Sequence, residues 1–304
     1  MKTPWWFLRK TPLALILWPL SVIYYMLSRL VFGVRKIGAY KSRRPVVCVG
    51  NIFAGGVGKT PIVRAIAQEL GAPVVMRGYK KCAATGNIGD EATMLGRAGL
   101  QVHTGNRKSN VRLLDSQDDD SPIVMDDGFQ NPRIKKDISI LVFDERLGLG
   151  NGFVLPAGPL REPVGAVRRA DAIIIIKANG GRVRKINLPA EIPVFYAKNQ
   201  TISPYGGTTR LAAFAGIGYP KKFFSALSNV VYKKSFADHY QYTPEDIEKL
   251  KKAAEKRKAK LVTTEKDWVR LPEDVQNEIK YARLETVIED RFYDWLKEKL
   301  RCRH

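Results

Sequence analysis

Cysteine is scarce in this chain: Cys48, Cys82 and Cys302 are the only three among 304 residues. They lie far apart, and none shares a metal-type spacing with a histidine. That excludes a disulfide framework and a zinc site, and it fits a reducing compartment. Histidine is equally sparse, with His103, His239 and His304. Acidic residues are missing altogether before Glu69, although Lys2, Arg9, Lys10, Arg29, Arg35, Lys36, Lys41, Arg43 and Arg44 crowd the same segment. Internal repeats and low-complexity tracts are absent as well. Hydrophobic (45%) and charged (27%) shares are ordinary for a folded chain, so wholesale disorder is excluded.

What is present is a large excess of positive charge. Fifty-one Lys and Arg against 30 Asp and Glu leave +21, which calls for an anionic partner: nucleic acid, anionic lipid or a phosphorylated substrate. Within the basic first segment lies an uncharged apolar run, Thr11–Ser28, with Trp5, Trp6, Trp18, Tyr24 and Tyr25 in or beside it. A spanning helix needs roughly 20 apolar residues, so the run is barely long enough. Cations at both ends remove the asymmetry that would orient a spanning helix. No small-residue cleavage pattern follows, as a signal peptide would require. Residues 1–36 are therefore expected to form a helix lying in or dipping into a membrane interface, with aromatics at headgroup depth and Lys/Arg on anionic lipid. No nucleic-acid recognition motif accompanies the charge, and no protein partner is implied.

Beyond this segment, short β-branched runs alternate with helical patterns. RPVVCVGN (Arg44–Asn51) reads as a buried strand ending in a Gly-rich turn, and TPIVRAIAQEL as the helix after it. APVVMRGY, SPIVMDDG, DISILVFD and DAIIIIKAN continue the strand pattern, with a helix entering at Asp90. The expected fold is α/β: a P-loop, Rossmann-like, mostly parallel sheet with flanking helices. The pattern weakens over residues 192–209, and 201–210 is the expected linker or hinge. It would separate a core over 37–200 from a smaller α/β domain over 211–304, in which Thr243 caps a helix opened by Pro244, Glu245 and Asp246.

The turn after the first strand carries the chemistry. The window Phe53-Ala-Gly-Gly-Val-Gly-Lys-Thr60 matches the phosphate-loop pattern G-x-x-x-x-G-K-[ST] except at its first position. Gly55, Gly56 and Gly58, with Val57 between them, keep the backbone free to turn its N–H groups toward phosphates. Lys59 would hold the phosphates of ATP and Thr60 would reach Mg²⁺. Pro61 falls in the first helical turn, where a missing N–H has no intrahelical partner to lose. A metal-binding carboxylate is expected at the end of a neighbouring strand, and Asp126 and Asp127 stand there. The acceptor further requires a group that orients its hydroxyl. His239, beside Asp238, and Asp90, at a helix start, are the candidates; their bland alternatives are a surface loop histidine and an N-cap.

Taken together, GNIFAGGVGKTP, MRGYK (Met76–Lys80), GDEA (with Asp90 and Glu91), VMDDGFQN, LPAGPLREP (Leu155–Pro163), FADH and TTEKD (Thr263–Asp267) resemble the lipid A 4′-kinase (tetraacyldisaccharide 4′-kinase) family over nearly the whole chain. The resemblance implies ATP-dependent phosphorylation of the 4′-hydroxyl of an acylated glucosamine disaccharide 1-phosphate at the cytoplasmic face of the bacterial inner membrane. It implies that Asp90 acts as base with His239 orienting it. It also implies that Asp126, Asp127 and Glu162 serve metal and substrate, and that Arg77 and Arg161 anchor phosphates. Tyr79, Glu91 and Gln130 fall on the same motifs and are expected near the substrate. Two positions depart: Asn131 stands where the family has histidine, and Met76 where serine is common. The alternative is a membrane-associated P-loop ATPase switch of the partitioning class. That class carries a lysine before the paired glycines, where this chain has Ala54.

Overall fold

The computed structural model describes residues 4–78, 89–178, 180, 183, 184 and 186–302. After a 3-10 turn at Trp5–Leu8, helix α1 covers Pro12–Lys36. The chain continues through β1 (Val46–Gly50), α2 (Lys59–Leu70), β2 (Val74–Met76), α3 (Asp90–Arg97), β3 (Val102–Thr104), α4 (Arg107–Asp115), β4 (Ile123–Asp126) and β5 (Ile138–Asp144). Next come β6 (Ala172–Ile176), β7 (Val194–Ile202), β8 (Leu211–Ala215), α5 (Pro220–Ser225), β9 (Val230–Ser235) and α6 (Pro244–Glu255). Strand β10 (Lys260–Thr264), helices α7 (Glu265–Trp268) and α8 (Glu273–Glu278), β11 (Lys280–Ile288) and α9 (Asp290–Arg301) close it.

Two compact units divide the described residues. The larger takes those within Thr3–Arg77, Leu100–Lys198 and Thr286–His304; the smaller takes those within Gly78–Gly99 and Asn199–Glu285. Chain order thus differs from spatial grouping. A linear division at 201–210 would place α3 with the phosphate loop and α9 with the second domain, whereas α3 packs with the smaller unit and α9 with the larger. The crossing points lie inside strands, at Lys198–Asn199 in β7 and Glu285–Thr286 in β11.

In the larger unit the strand order is β3-β2-β4-β1-β5-β6-β7, with parallel pairing throughout. Strands β1, β5 and β6 are buried at every position, as a parallel sheet covered on both faces demands. Helix α2 lays Ile62, Val63, Ile66 and Ala67 into the core and ends at Gly71, which adopts left-handed geometry to close the last turn. The smaller unit orders its strands β11-β10-β8-β9, again parallel. Its helix α6 begins with the Thr243 cap, reciprocated by Asp246 as a capping box. Strand β7 occupies much of the stretch where the sequence pattern weakens. Its burial alternates along FYAKNQ, with Lys198 and Gln200 facing outward and Asn199 buried, and these polar residues hide the strand from a reading based on continuous apolar runs.

Helix α1 is long and apolar enough to cross a membrane by length and composition. Its 25 residues extend ~37 Å at the α-helical rise. Most of its large side chains are exposed, among them Leu15, Ile16, Trp18, Ile23, Met26, Leu27 and Leu30; Ala14 and Ser21 are the buried ones. Ser21 docks it: its Oγ donates to the Val154 carbonyl at 2.8 Å and accepts from the Ala157 N–H at 3.0 Å. Asn151 adds a second anchor, donating from Nδ2 to the carbonyl of Trp6. Ser21→Ala leaves a buried donor and a buried acceptor without their partner, at a cost of about 1–3 kcal/mol. A thermal melt of the variant should show a lower midpoint than the wild type.

Candidate active site

The larger unit gathers one set of functional side chains at the carboxyl edge of β1 and β4, where open parallel sheets hold ligands. Asn51, fully buried just past β1, organises the turn. Its Nδ2 donates to the Phe53 carbonyl (2.7 Å) and its Oδ1 accepts from Lys59 Nζ (3.1 Å). Gly55 and Gly58 both take positive φ, 146° and 82°, so these positions need the freedom of glycine. Phe53, which replaces the first consensus glycine, is buried and pairs in an antiparallel bridge with Leu160. Ala54 N–H donates to the Pro159 carbonyl (2.6 Å), and Arg161 N–H to the Ile52 carbonyl (2.7 Å). The root of the loop is therefore stitched to the LPAGPLREP segment, and a packed side chain serves there better than a glycine. Val57 is buried, while Gly55 and Gly56 are exposed toward the loop's open side. Pro61 lies in the first turn of α2, as expected from its position.

Asp127 is the centre of charge. Its backbone has φ 51°, an unusual conformation for a side-chain-bearing residue. Its carboxylate meets Lys59 Nζ at 3.2 Å and Arg161 Nη1 at 3.0 Å. Burial pushes its pKa up, but the Lys59 and Arg161 charges outweigh that and hold it below the usual carboxylate range. Arg161 also donates to Gln130 Oε1 (3.3 Å), and Gln130 Nε2 donates to the Asn51 carbonyl (2.9 Å). Gly50 allows this closeness, because a Cβ there would lie 2.6 Å from Phe129 Cβ. Asp126 is buried at the end of β4, opposite Val49 of β1. Arg107, which the sequence reading did not single out, donates to the carbonyls of Asp126 (2.7 Å) and Asp127 (3.2 Å). Arg77 is exposed at the end of β2, on the same edge.

The donors fit a magnesium ion. Among the described residues no group of three His, Cys, Asp or Glu side chains forms a metal cage. Mg²⁺ needs none, since it takes one or two protein oxygens and fills its octahedron with phosphate oxygens and water. Thr60 offers a hydroxyl, and Asp126 and Asp127 carboxylates. Glu162 is buried and bonds Arg169 through Oε2 at 2.5 Å, while its Oε1 has no hydrogen-bond partner. A buried carboxylate oxygen with lone pairs to spare has room to accept a water or a cation.

The smaller unit gathers the second set. Asp90 is the first residue of α3, capped by Gly89, so its carboxylate does not serve as the N-cap. Instead Oδ2 accepts from Arg270 Nε (2.8 Å) and Nη2 (2.6 Å) and lies 3.3 Å from His239 Nδ1. Arg270 Nη2 also faces His239 Nδ1 at 3.1 Å, and its Nη1 reaches the Gly216 carbonyl and Asp267 Oδ1, each at 3.2 Å. His239 Nδ1 thus lies between the Arg270 guanidinium and the Asp90 carboxylate, and its other nitrogen, Nε2, is 3.9 Å from Asp238 Oδ1. His239, like Asp127, has positive φ (62°), and its N–H is held by the Gly216 carbonyl. Thr264 caps α7, accepting from Asp267 N–H and donating to Asp267 Oδ2, which places Asp267 and Arg270 on one side of the chain. Burial pushes the Asp267 carboxyl up against the pull of Thr264 and Arg270.

The structure thus brings together Asp90 with His239, and Lys59 with Asp127, Arg161 and Gln130. Glu91 is half-buried beside Asp90 in α3, without a polar contact to that cluster. Tyr79 lies outside the described residues. His103 sits in β3 with burial pushing its pKa down. Arg270, which the sequence reading did not single out, stands three residues after Asp267 in TTEKDWVR, a spacing too common in so basic a chain to mark it.

A glycine-turned loop with its lysine at the carboxyl end of a parallel strand, and a carboxylate pair at the end of the next, defines a P-loop nucleotide-binding protein. A model of the family described as LpxK, tetraacyldisaccharide-1-P 4′-kinase, matches residues 13–301. The tetraacyldisaccharide 4′-kinase of Hyphomonas neptunium is 36% identical over 301 residues, covering 91% of this chain and 88% of that protein. The corresponding protein of Mesorhizobium japonicum is 32% identical over 346 residues and covers 98% of each. The fold is similar to that of LpxK from Aquifex aeolicus, solved in complex with ATP, with a TM-score of 0.74 and 24% identity over 95% of this chain and 98% of that one. The chain belongs to the tetraacyldisaccharide-1-P 4′-kinase family. Membership makes it a kinase, an ATP-using transferase of lipid A biosynthesis.

Proposed function

We propose that this chain transfers the γ-phosphoryl group of ATP to the 4′-hydroxyl of an acylated glucosamine disaccharide 1-phosphate at the cytoplasmic face of the bacterial inner membrane. The observation that carries the assignment of an alcohol acceptor is the Asp90–His239–Arg270 cluster in the smaller unit. A hydroxyl acceptor must lose its proton as it attacks, and a carboxylate oriented by hydrogen bonds is suited to receive it. Asp90 is that base. Arg270 orients its carboxylate through two hydrogen bonds, with His239 beside it.

Phosphoryl transfer otherwise rests on positioning and on neutralising the oxygens of the moving group. Lys59 and the N–H groups of residues 55–60 hold the ATP phosphates, and Thr60, Asp126, Asp127 and Glu162 would hold Mg²⁺. Bound with ATP, that ion neutralises phosphate charge. Arg161 and Arg77 offer guanidinium groups to phosphate oxygens, with Gln130, Glu91 and Tyr79 near the sugar. The exposed apolar surface of α1 keeps the enzyme with its membrane-borne substrate.

The direct test uses the full chain in neutral detergent micelles with radiolabelled ATP and acylated disaccharide 1-phosphate. One labelled lipid product with a 4′-phosphomonoester is the expected result. Release of inorganic phosphate without a labelled lipid would overturn the reading in favour of an ATPase switch.

A further inference from the structure

The larger unit contains a cleft of about 430 Å³ between the last turns of α1 and the loop that follows Asp127. Four cations line it, Lys36, Lys135, Lys136 and Arg169, with the rings of Phe32 and Phe129 among its apolar walls. No acidic side chain is among the lining residues; the nearest contacting countercharge is Glu162, bonded to Arg169. Arg169 is held between the two walls, 5.5 Å from the Phe32 ring centroid on α1 and 4.5 Å from that of Phe129. Lys136 is committed to the floor, donating to the carbonyls of Phe129 (3.2 Å) and Asn131 (2.5 Å). Lys36 and Lys135 stand exposed at the mouth, and among the described residues neither has a carboxylate within ion-pair distance.

With Glu162 bonded to Arg169 and none of the three lysines in an ion pair among the described residues, these cations repel one another, and an anion between them relieves the repulsion. The carbonyl end of α1 has the opposite sign, but it is covered: Ile37 N–H returns to the Val34 carbonyl, and Arg35 and Lys36 occupy the last turn. The cleft is too large for a lone inorganic ion and is partly apolar. Leu27, Leu30, Val31 and Val34, on the same C-terminal turns of α1 as Phe32 and Lys36 but turned away from them, are exposed, so the basic recess opens at the end of an apolar helix. That arrangement matches a molecule with a charged phosphate head and long hydrocarbon chains.

We propose that this cleft binds the phosphodiester headgroup of an anionic bulk phospholipid, with Lys36 and Lys135 pairing to the phosphate and the acyl chains lying along α1. The proposal rests on the reading of the chain as an enzyme that works at a lipid surface. Neither Lys36 nor Lys135 touches the Lys59 or Asp90 clusters, which separates anchoring from chemistry.

The test compares the full chain with a Lys36→Gln/Lys135→Gln variant in flotation with vesicles of phosphatidylcholine containing phosphatidylglycerol. Each basic residue at an anionic surface contributes ~1 kcal/mol, about 30-fold for two, and loss of the two that pair with the headgroup in the cleft should weaken binding by more than that. A control variant, Lys10→Gln/Arg35→Gln, removes the same charge beside α1 but outside the cleft, and should lose clearly less. Equal losses in the two variants would mean diffuse adsorption and overturn the site. The KM for acylated disaccharide 1-phosphate in neutral micelles should be the same in the cleft variant as in the wild type. A raised KM there, with vesicle binding intact, would assign the cleft to the substrate's own phosphate and also overturn the proposal. Vesicle binding is read without turnover, so absence of kinase activity in the wild type would count against the function and leave this result standing.

Discussion

Replacing Lys59 with alanine lowers phosphoryl transfer to the lipid by about 1000-fold or more, the scale seen when a phosphate-directed donor is removed from a preorganised site. The side chain lies in the first turn of α2, pinned by Asn51 and Asp127, so its ammonium is delivered to the loop with little freedom left to lose. Initial-rate measurements with radiolabelled ATP check the effect, and a rate within tenfold of wild type would contradict the assignment. A second readout follows from Asp127. Its pKa is depressed, so the stability it confers is fully present above the ordinary carboxylate range and is lost as pH falls through its lowered folded value. Without Lys59 only Arg161 remains to hold it down, and the acid loss of stability should begin at a higher pH. Denaturant midpoints measured across the acid range in both proteins report that shift.

Asp90→Asn is the second large effect, a fall in kcat of about 100- to 10,000-fold, the usual contribution of a general base. The asparagine keeps the shape of the side chain and an acceptor for Arg270, so ATP affinity measured by equilibrium binding should match the wild type. That split distinguishes a lost base from a damaged fold. Arg270→Lys sharpens the comparison. Lysine retains the charge but not the planar fork that reaches Asp90, Asp267, Gly216 and His239 together. It should lower kcat with little change in KM. A kcat equal to wild type would show that Arg270 supports the fold without positioning the base.

Much of the site was legible from residues alone, because local backbone chemistry constrains sequence. Gly55, Gly58, Lys59 and Thr60 are a contiguous loop whose dihedral demands appear as glycines. Asp126 and Asp127 were legible because acids at the end of an apolar strand stand out. Phe53 looked like a defect in the motif. Its bridge to Leu160 shows why a packed side chain belongs there, and that partner is distant in sequence. Arg107, Arg169 and Arg270 were not legible. They act through carbonyls, rings and carboxylates on other elements, and in a chain this rich in arginine nothing local distinguishes them. Strand β7 was hidden for a related reason: Lys198, Asn199 and Gln200 break the apolar run, and pairing between strands, with β6 over Val194–Ala197, makes it a strand.

By itself the sequence determined the class of fold, the phosphate loop and a basic, apolar N-terminal helix, since each rests on short-range pattern; it offered Asp90 and His239 only as candidates. The tertiary structure alone decided which unit each segment joins. It put α3 in the smaller unit, so that Asp90 meets His239 and Arg270, and it put α9 in the larger. The physical reason is that backbone hydrogen bonding and periodicity act over a few residues, whereas charge pairing and burial act through space. A guanidinium finds its carboxylates where the chain folds back, and that meeting leaves no mark in the order of the residues.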